Sequence, residues 1–226
     1  MNLKRLRQQL LSFGAFVLIA YASYFLILLS LPYIDGESHV DFLRTKQLIY
    51  HIKVWRYSFY IHVFTSPLVI VAGLFQFNRW VLANWTKVHR FSGYVYTSVV
   101  LLITGPAAFV MSLWANGSYP SQVSFTLLSV LWILFTYLGY HHIRKGNVRS
   151  HLIWNLRSFA LTLSAITLRA YVYLFNAYGP EMGQIETYIL VSYLSWIPNL
   201  LIVELMIFLK YPEFLLGYKK SIRGDK

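Results

Sequence analysis

The chain has no cysteine among its 226 residues and few charged ones. Without cysteine it cannot form disulfides, thiolate-held iron–sulfur clusters or thiolate zinc sites. Charged residues make up 12% of the chain, whereas a soluble domain averages about 25%. Hydrophobic residues make up 57% and come in long blocks, as in polytopic membrane proteins. The composition therefore predicts one integral membrane domain over residues 1–226, with no separate soluble domain.

Most of the charged residues are basic: the chain has 20 basic and eight acidic residues, which gives a net charge of +12. In a soluble protein this excess would indicate nucleic-acid binding. Here the basic residues concentrate in short segments between apolar blocks, where they set membrane topology. We therefore predict a lipid bilayer as the partner, and no nucleic acid.

Six windows are long and apolar enough for membrane helices, which need about 20 residues. They run approximately over Leu11–Tyr33, Ser58–Val81, Phe91–Ala115, Val123–Tyr140, Leu152–Phe175 and Tyr188–Leu209. The first window is too long for the apolar core of a signal peptide and lacks a small-residue exit, so we expect it to be retained. The predicted fold is an all-α bundle of about six transmembrane helices.

The segments between these windows alternate in charge. The N-terminus, segments 79–90 and 141–150 and the C-terminal tail carry most of the lysines and arginines. The positive-inside rule then predicts both termini in the cytoplasm. In the long outer segment 34–57, Leu48, Ile49, Ile52 and Trp55 have roughly helical spacing and predict a short interfacial helix. The tail after Lys210 is predicted to lie at the cytoplasmic membrane surface.

Two of the windows carry polar stripes at helical spacing. The stripe of the second window is His62, Ser66, Val69, Gly73 and Gln76. The stripe of the fifth window is His151, Asn155, Ser158, Thr162 and Ala165, with Arg169 one turn further on. We expect both stripes to face the bundle interior, with residues such as Ile70 and Leu161 on the opposite faces. The small and hydroxyl residues suit helix packing, whereas intramembrane charges are usually functional.

Depth in the membrane divides the polar residues into two groups. His62 and Arg169 lie toward the outer side and are predicted to share a site there. The cytoplasmic group is Gln76, His89, Arg90, His151, Asn155 and Arg157. Glu204 in the sixth window reaches the depth of Arg157, and an uncompensated buried charge is costly. We therefore predict an ion pair between Arg157 and Glu204.

Motifs within residues 58–175 carry a family resemblance. They are an early histidine at His62, then Gln76, His89-Arg90-x-x-Gly93-x-x-Tyr96, His151-x-x-Trp154-x-x-Arg157 and Thr167-x-Arg169. This pattern resembles a bacterial family of predicted multi-pass membrane proteins of unknown function. Asn155 departs from it, because the family usually has methionine there. The resemblance implies the bacterial cytoplasmic (inner) membrane as the location and implies no activity.

A second similarity, one of placement, is to transmembrane b-type cytochromes, which hold haem between histidines on neighbouring spans. It implies His89 and His151 as ligands of a haem b iron, with Arg90 or Arg157 on the propionates. The leading hypothesis is therefore an electron-transfer protein with haem b or a quinone, and with His62 and Arg169 in an outer quinone or substrate pocket. Gln76 belongs to the same predicted cofactor site.

Two alternatives to electron transfer stay open. One is a transporter or a non-catalytic subunit of a larger membrane complex, with membrane protein subunits as partners; intramembrane Arg, His and Glu also occur along transport pathways. The other is a metal-assisted membrane enzyme that uses His62, His89 and His151. Depth argues against this one, since His62 lies near the opposite membrane face from the other two.

Overall fold

The computed structural model describes residues 3–77, 81 and 84–223, and its described part is helical without strands. Six helices are long and apolar enough to cross a membrane, which confirms the predicted all-α fold. These spans, numbered one to six, are Phe16–Tyr33, Lys53–Gln76, Thr86–Ser112, Ser118–Arg144, Val148–Tyr178 and Gln184–Phe208. Residues 79, 80, 82 and 83 of the predicted cytoplasmic segment 79–90 lie outside the described residues, as does residue 78 just before it.

The described helices, numbered α1 to α10 in chain order, follow the spans closely. They are Leu3–Leu28, Lys53–Phe77, Thr86–Val99, Gly105–Ser112, Ser118–Arg144, Val148–Thr162, Ser164–Tyr178, Gln184–Leu194, Ile197–Phe208 and Tyr211–Arg223. Six spans bring both chain ends to one side of the bundle. We call that side terminal and the opposite side distal; the charge pattern predicts that the terminal side is cytoplasmic.

Spans three, five and six are interrupted within the membrane. In span three, a π-helical turn over Val100–Thr104 joins α3 to α4, and the Gly105 N–H donates to the Val100 carbonyl five residues back. Pro106 follows at once, and proline has no N–H to continue an α-helical ladder. Span six breaks before Pro198 for the same reason. Span five breaks at Leu163, between α6 and α7.

The core lies among spans two to six. Its buried residues are Val69, Ala72, Tyr96, Val99, Val100, Trp132, Phe159, Leu161 and Trp196. Span one is peripheral, because Ser23, Leu26 and Tyr33 are the only buried side chains among those described in this span. A second cluster at the distal end contains Tyr33, Leu43, Trp55 and Phe59.

The two polar stripes pack inward, with Arg169 as the one exposed member. The expectation that Ile70 and Leu161 lie on outward faces is wrong, because each is only 1% exposed. Helix α2 packs against α1, α3, α4 and α6, so it buries more of its circumference than one stripe. The hydrophobic periodicity of one helix predicts one buried face, and it does not show that the helix packs against several others.

The predicted interfacial helix in the outer segment is also wrong. The segment forms a 3₁₀ helix at Asp41–Lys46 and turns at 47–51, and α2 begins at Lys53. Leu48 is 91% exposed and Trp55 is 1% exposed. Leu43, Ile49 and Ile52 pack on the distal cluster whereas Leu48 does not, so these side chains do not form one amphipathic face.

At the terminal end, α10 is held against the bundle. Leu215 is buried, and Arg149 at the start of α6 donates two hydrogen bonds to Glu213 Oε1, at 2.8 and 2.7 Å. These bonds hold the pKa of the Glu213 carboxylate below its usual value.

Candidate functional site

A cavity of about 660 Å³ opens in the distal half of the bundle, and all six spans contribute to its wall. We call it the distal cavity. Its wall is mostly apolar, with residues such as Leu26, Phe59, Ile70 and Leu128. A small number of polar groups in an apolar pocket of this size is typical of small-molecule sites.

His62 and Arg169, predicted to share a site, both line this cavity. Arg169 lies on α7 and donates from Nη1 to the Ala165 carbonyl of its own helix at 2.8 Å. The Tyr33 side chain lines the same cavity. Among the described residues, no carboxylate lies within ion-pair distance of Arg169. Asp41 also lines the cavity, but it lies beyond ion-pair distance of Arg169.

The π-helical turn of span three positions His62. The His62 Nδ1 lies 3.5 Å from the Thr104 carbonyl, and the Thr104 hydroxyl lies 2.5 Å from that of Thr65. A π turn displaces carbonyls from the regular ladder and is frequent at functional sites. The sequence analysis missed Thr65 and Thr104; the signal that could have found them was the Gly105-Pro106 pair inside an apolar window.

Lys46 closes the distal side of the cavity. Its side chain is buried, 4% exposed, and its ammonium donates to the Trp114 carbonyl at the end of span three. The Nζ lies 5.5 Å from the Phe42 ring centre and 5.9 Å from that of Trp55. Burial lowers the pKa of Lys46 from 10.5 to about 8. In the sequence nothing distinguishes Lys46 from neighbouring topology charges.

The cavity floor is joined to a buried network of hydroxyl groups. Thr162 lines the cavity, accepts a hydrogen bond from the Trp132 indole at 2.9 Å and lies 2.7 Å from the Tyr96 hydroxyl. That hydroxyl also lies 2.7 Å from Ser158, which is 2.6 Å from Thr136. The network links spans three, four and five, and each member has a partner, as a buried polar network requires.

The histidines of the terminal half have different neighbours. Gln76 donates from Nε2 to the His89 carbonyl at 2.6 Å and to the Ser92 hydroxyl at 2.6 Å. The His151 Nδ1 lies 2.8 Å from the Gly139 carbonyl of α5, and Arg90 is exposed. Among the described residues, no three His, Cys, Asp or Glu side chains form a metal-binding group. His62, His89 and His151 therefore do not meet at one ion, as the metal-assisted enzyme would need.

Arg157 and Glu204 meet away from the cavity, on the surface of the terminal half. Arg157 donates to both carboxylate oxygens of Glu204, and its guanidinium lies 4.6 Å from the Trp154 ring centre. The Arg157 side chain is 21% exposed and that of Glu204 is 47% exposed. The pair joins spans five and six and does not line the distal cavity.

Comparison with known proteins returned one finding. A family model described as "Predicted membrane protein (DUF2306)" matches residues 59–207. No curated protein and no solved structure matches the chain. The matched residues include His89 and His151 of the terminal half, and His62 and Arg169 of the distal cavity.

Proposed function

This chain belongs to the DUF2306 family of predicted membrane proteins, and from that premise we propose that it binds a quinone in the distal cavity and takes part in electron transfer. The observation that carries the proposal is the placement of His62 and Arg169 in one apolar cavity of about 660 Å³. We place this cavity in the outer leaflet of a bacterial cytoplasmic membrane.

The chemistry of the cavity supports a quinone. A quinone has an apolar ring, two carbonyl oxygens that accept hydrogen bonds, and a long apolar tail. Arg169 has N–H donors beyond the one bound to Ala165, because a guanidinium carries five. When the quinone is reduced, its carbonyl oxygen gains negative charge. The Arg169 guanidinium stabilises this charge, and it does so more strongly in an apolar site than in water. The His62 ring, whose nitrogens can donate or accept a hydrogen bond, serves the second oxygen.

The test is quinone binding measured by tryptophan fluorescence, because Trp55 and Trp132 line the cavity. Decylubiquinone should quench the emission of the reconstituted protein saturably. Arg169→Met and His62→Leu should weaken binding about tenfold or more, since a hydrogen bond to a charged group contributes about 1.5–3 kcal/mol. Arg144→Met, exposed at the terminal end, is the control. Equal affinity in all four proteins would overturn the proposal.

A haem b in the terminal half would supply the electrons. We propose His89 and His151 as its ligands, with Arg90 or Arg157 at the propionates. The His151 Nδ1 beside the Gly139 carbonyl supports this, because iron-ligating histidines usually donate their second ring N–H to such a group. The protein purified from haem-sufficient cells should show a Soret band that His89→Ala and His151→Ala remove. A colourless protein would overturn the haem proposal and leave quinone binding to its own test.

Two observations favour the alternatives. All six spans line the distal cavity, as expected of a transporter with a central substrate site. Glu204 is half-exposed on the bundle surface, as expected of a subunit that meets a partner inside the membrane. Co-purification of a stoichiometric membrane protein that Glu204→Gln releases would favour the subunit. Failure of quinone to bind, together with uptake of a solute into vesicles, would favour the transporter.

A further inference from the structure

The distal end of the cavity is closed by the segment between spans one and two. Leu43 is fully buried and Lys46 is 4% exposed. Two contacts fasten this segment to the end of span three and the loop that follows: the Lys46 ammonium donates to the Trp114 carbonyl, and the Asn116 amide donates to the Thr45 hydroxyl at 3.0 Å. Entry from the distal aqueous phase would have to break this roof or pass Asp41, which lines the cavity and is exposed.

On the side of the cavity toward span one and α7, some lining residues are also exposed. Leu29 of span one and Val172 of α7 line the cavity yet are 48% and 37% exposed on the bundle surface. Arg169, one turn from Val172, also both lines the cavity and is exposed. By contrast, every lining residue from spans two, three, four and six is buried or half-buried. Span one and α7 are neighbours and flank this side of the cavity.

We propose that a lateral portal lies between Leu29 and Val172, and that the ligand enters the distal cavity through it from the surrounding leaflet. Arg169 lies beside this portal. The inference rests on the proposed function in treating the cavity as the ligand site. It defines the ligand class by the route: an amphiphile dissolved in the bilayer, whose polar head enters the cavity while an apolar tail remains among the lipids.

The residues at the portal suit such a ligand. Leu29 and Val172 present apolar edges on which a hydrocarbon tail can lie without loss of contact with lipid. Arg169 meets the head with a charge that forms no ion pair with a described carboxylate. A long arginine side chain keeps its apolar stem in the membrane and its guanidinium at polar groups. A water-soluble substrate would gain nothing from this route.

The absence of cysteine allows a direct test by thiol labelling, with no ligand needed. Ser66→Cys places a thiol inside the cavity, since Ser66 lines it and is half-buried. Leu48→Cys, 91% exposed outside the span, is the aqueous reference. In vesicles, bilayer-dissolved pyrene maleimide and a membrane-impermeant stilbene disulfonate maleimide are compared on both single-cysteine proteins. We expect pyrene maleimide to label Ser66→Cys, and the impermeant reagent to label only Leu48→Cys.

The portal itself is tested by narrowing it. Val172→Trp in the Ser66→Cys protein should slow labelling by pyrene maleimide about tenfold or more, since an indole fills most of such an opening. Val130→Trp is the matched control, because Val130 is 44% exposed on span four and does not line the cavity. Leu29→Trp narrows the portal from span one and replaces Val172→Trp if that variant does not fold.

Two results would overturn the portal. One is labelling of Ser66→Cys by the impermeant reagent as fast as that of Leu48→Cys, which would show entry from water. The other is an equal rate in the portal variants and Val130→Trp. Neither labelling result depends on quinone binding. If the labelling supports the portal but decylubiquinone does not quench the fluorescence, only the proposal of quinone as the ligand is overturned.

Discussion

Arg157 and Glu204 form a two-pronged ion pair between spans five and six, with Nε–Oε1 at 2.6 Å and Nη2–Oε2 at 2.8 Å. Both residues lie within membrane spans, where an uncompensated charge costs about 2.5–3.5 kcal/mol on the insertion scale. The parallel hydrogen bonds also fix the orientation of the two helices, because a planar guanidinium fits a carboxylate in few ways.

Breaking this pair should destabilise the bundle. Glu204→Gln leaves the Arg157 charge without its counter-ion, and we expect unfolding in SDS–detergent mixtures to become easier by about 1–3 kcal/mol. The double variant Arg157→Met with Glu204→Gln should lose less than the sum of Arg157→Met and Glu204→Gln alone. Arg149→Ala, which breaks the exposed pair with Glu213, is the control and should unfold close to the wild type. Additive single effects would contradict a coupled pair.

Gly105 is predicted to tolerate no side chain. A Cβ there would lie 2.4 Å from the Val100 carbonyl and 2.7 Å from Ile133 Cγ1, so both the π turn and the contact with span four would have to shift. Gly105→Ala should destabilise the protein by about 1–3 kcal/mol and weaken ligand binding through His62. Gly14→Ala, with nothing within 4 Å, should be neutral or stabilising by up to about 1 kcal/mol. Thermal unfolding in detergent compares the two.

The hydroxyl of Tyr96 should contribute measurably to stability. Tyr96→Phe removes the group between Ser158 and Thr162, and the loss of buried hydrogen bonds should cost about 1–3 kcal/mol. Tyr94→Phe, two residues away and 54% exposed, makes the same chemical change without that network. Equal unfolding midpoints for the two variants would show that the network adds nothing to stability.

The buried Lys46 side chain should make the stability of the protein increase with pH in the alkaline range. Because burial lowers its pKa from 10.5 to about 8, the unfolded chain binds more protons than the folded one between these values. Stability should therefore rise as the pH increases from about 8 to about 10.5. Lys46→Met should flatten this rise in SDS unfolding midpoints measured across the window. A rise that persists unchanged in Lys46→Met would assign it to another group.

The sequence determined the number of spans, their approximate bounds and the inward direction of the polar stripes. These features follow from local sequence patterns. A membrane helix forms its backbone hydrogen bonds within itself, so the length of an apolar run is enough to identify it. The same pattern placed His62 and Arg169 at one depth, and Arg157 level with Glu204. Residues at equal depth on neighbouring spans are natural partners, which is why these pairs were within reach of sequence reasoning.

Only the tertiary structure decided which side chains enclose the cavity. The roof at Lys46, the π turn at Thr104 and the hydroxyl network around Tyr96 each join segments more than 20 residues apart. Their partners depend on how the helices pack, and helical periodicity carries no information on which neighbour a face meets. The wrong expectations for Ile70, Leu161 and the outer segment have the same cause: a helix with several neighbours buries more than one face, and a loop packed on aromatic side chains follows their shape.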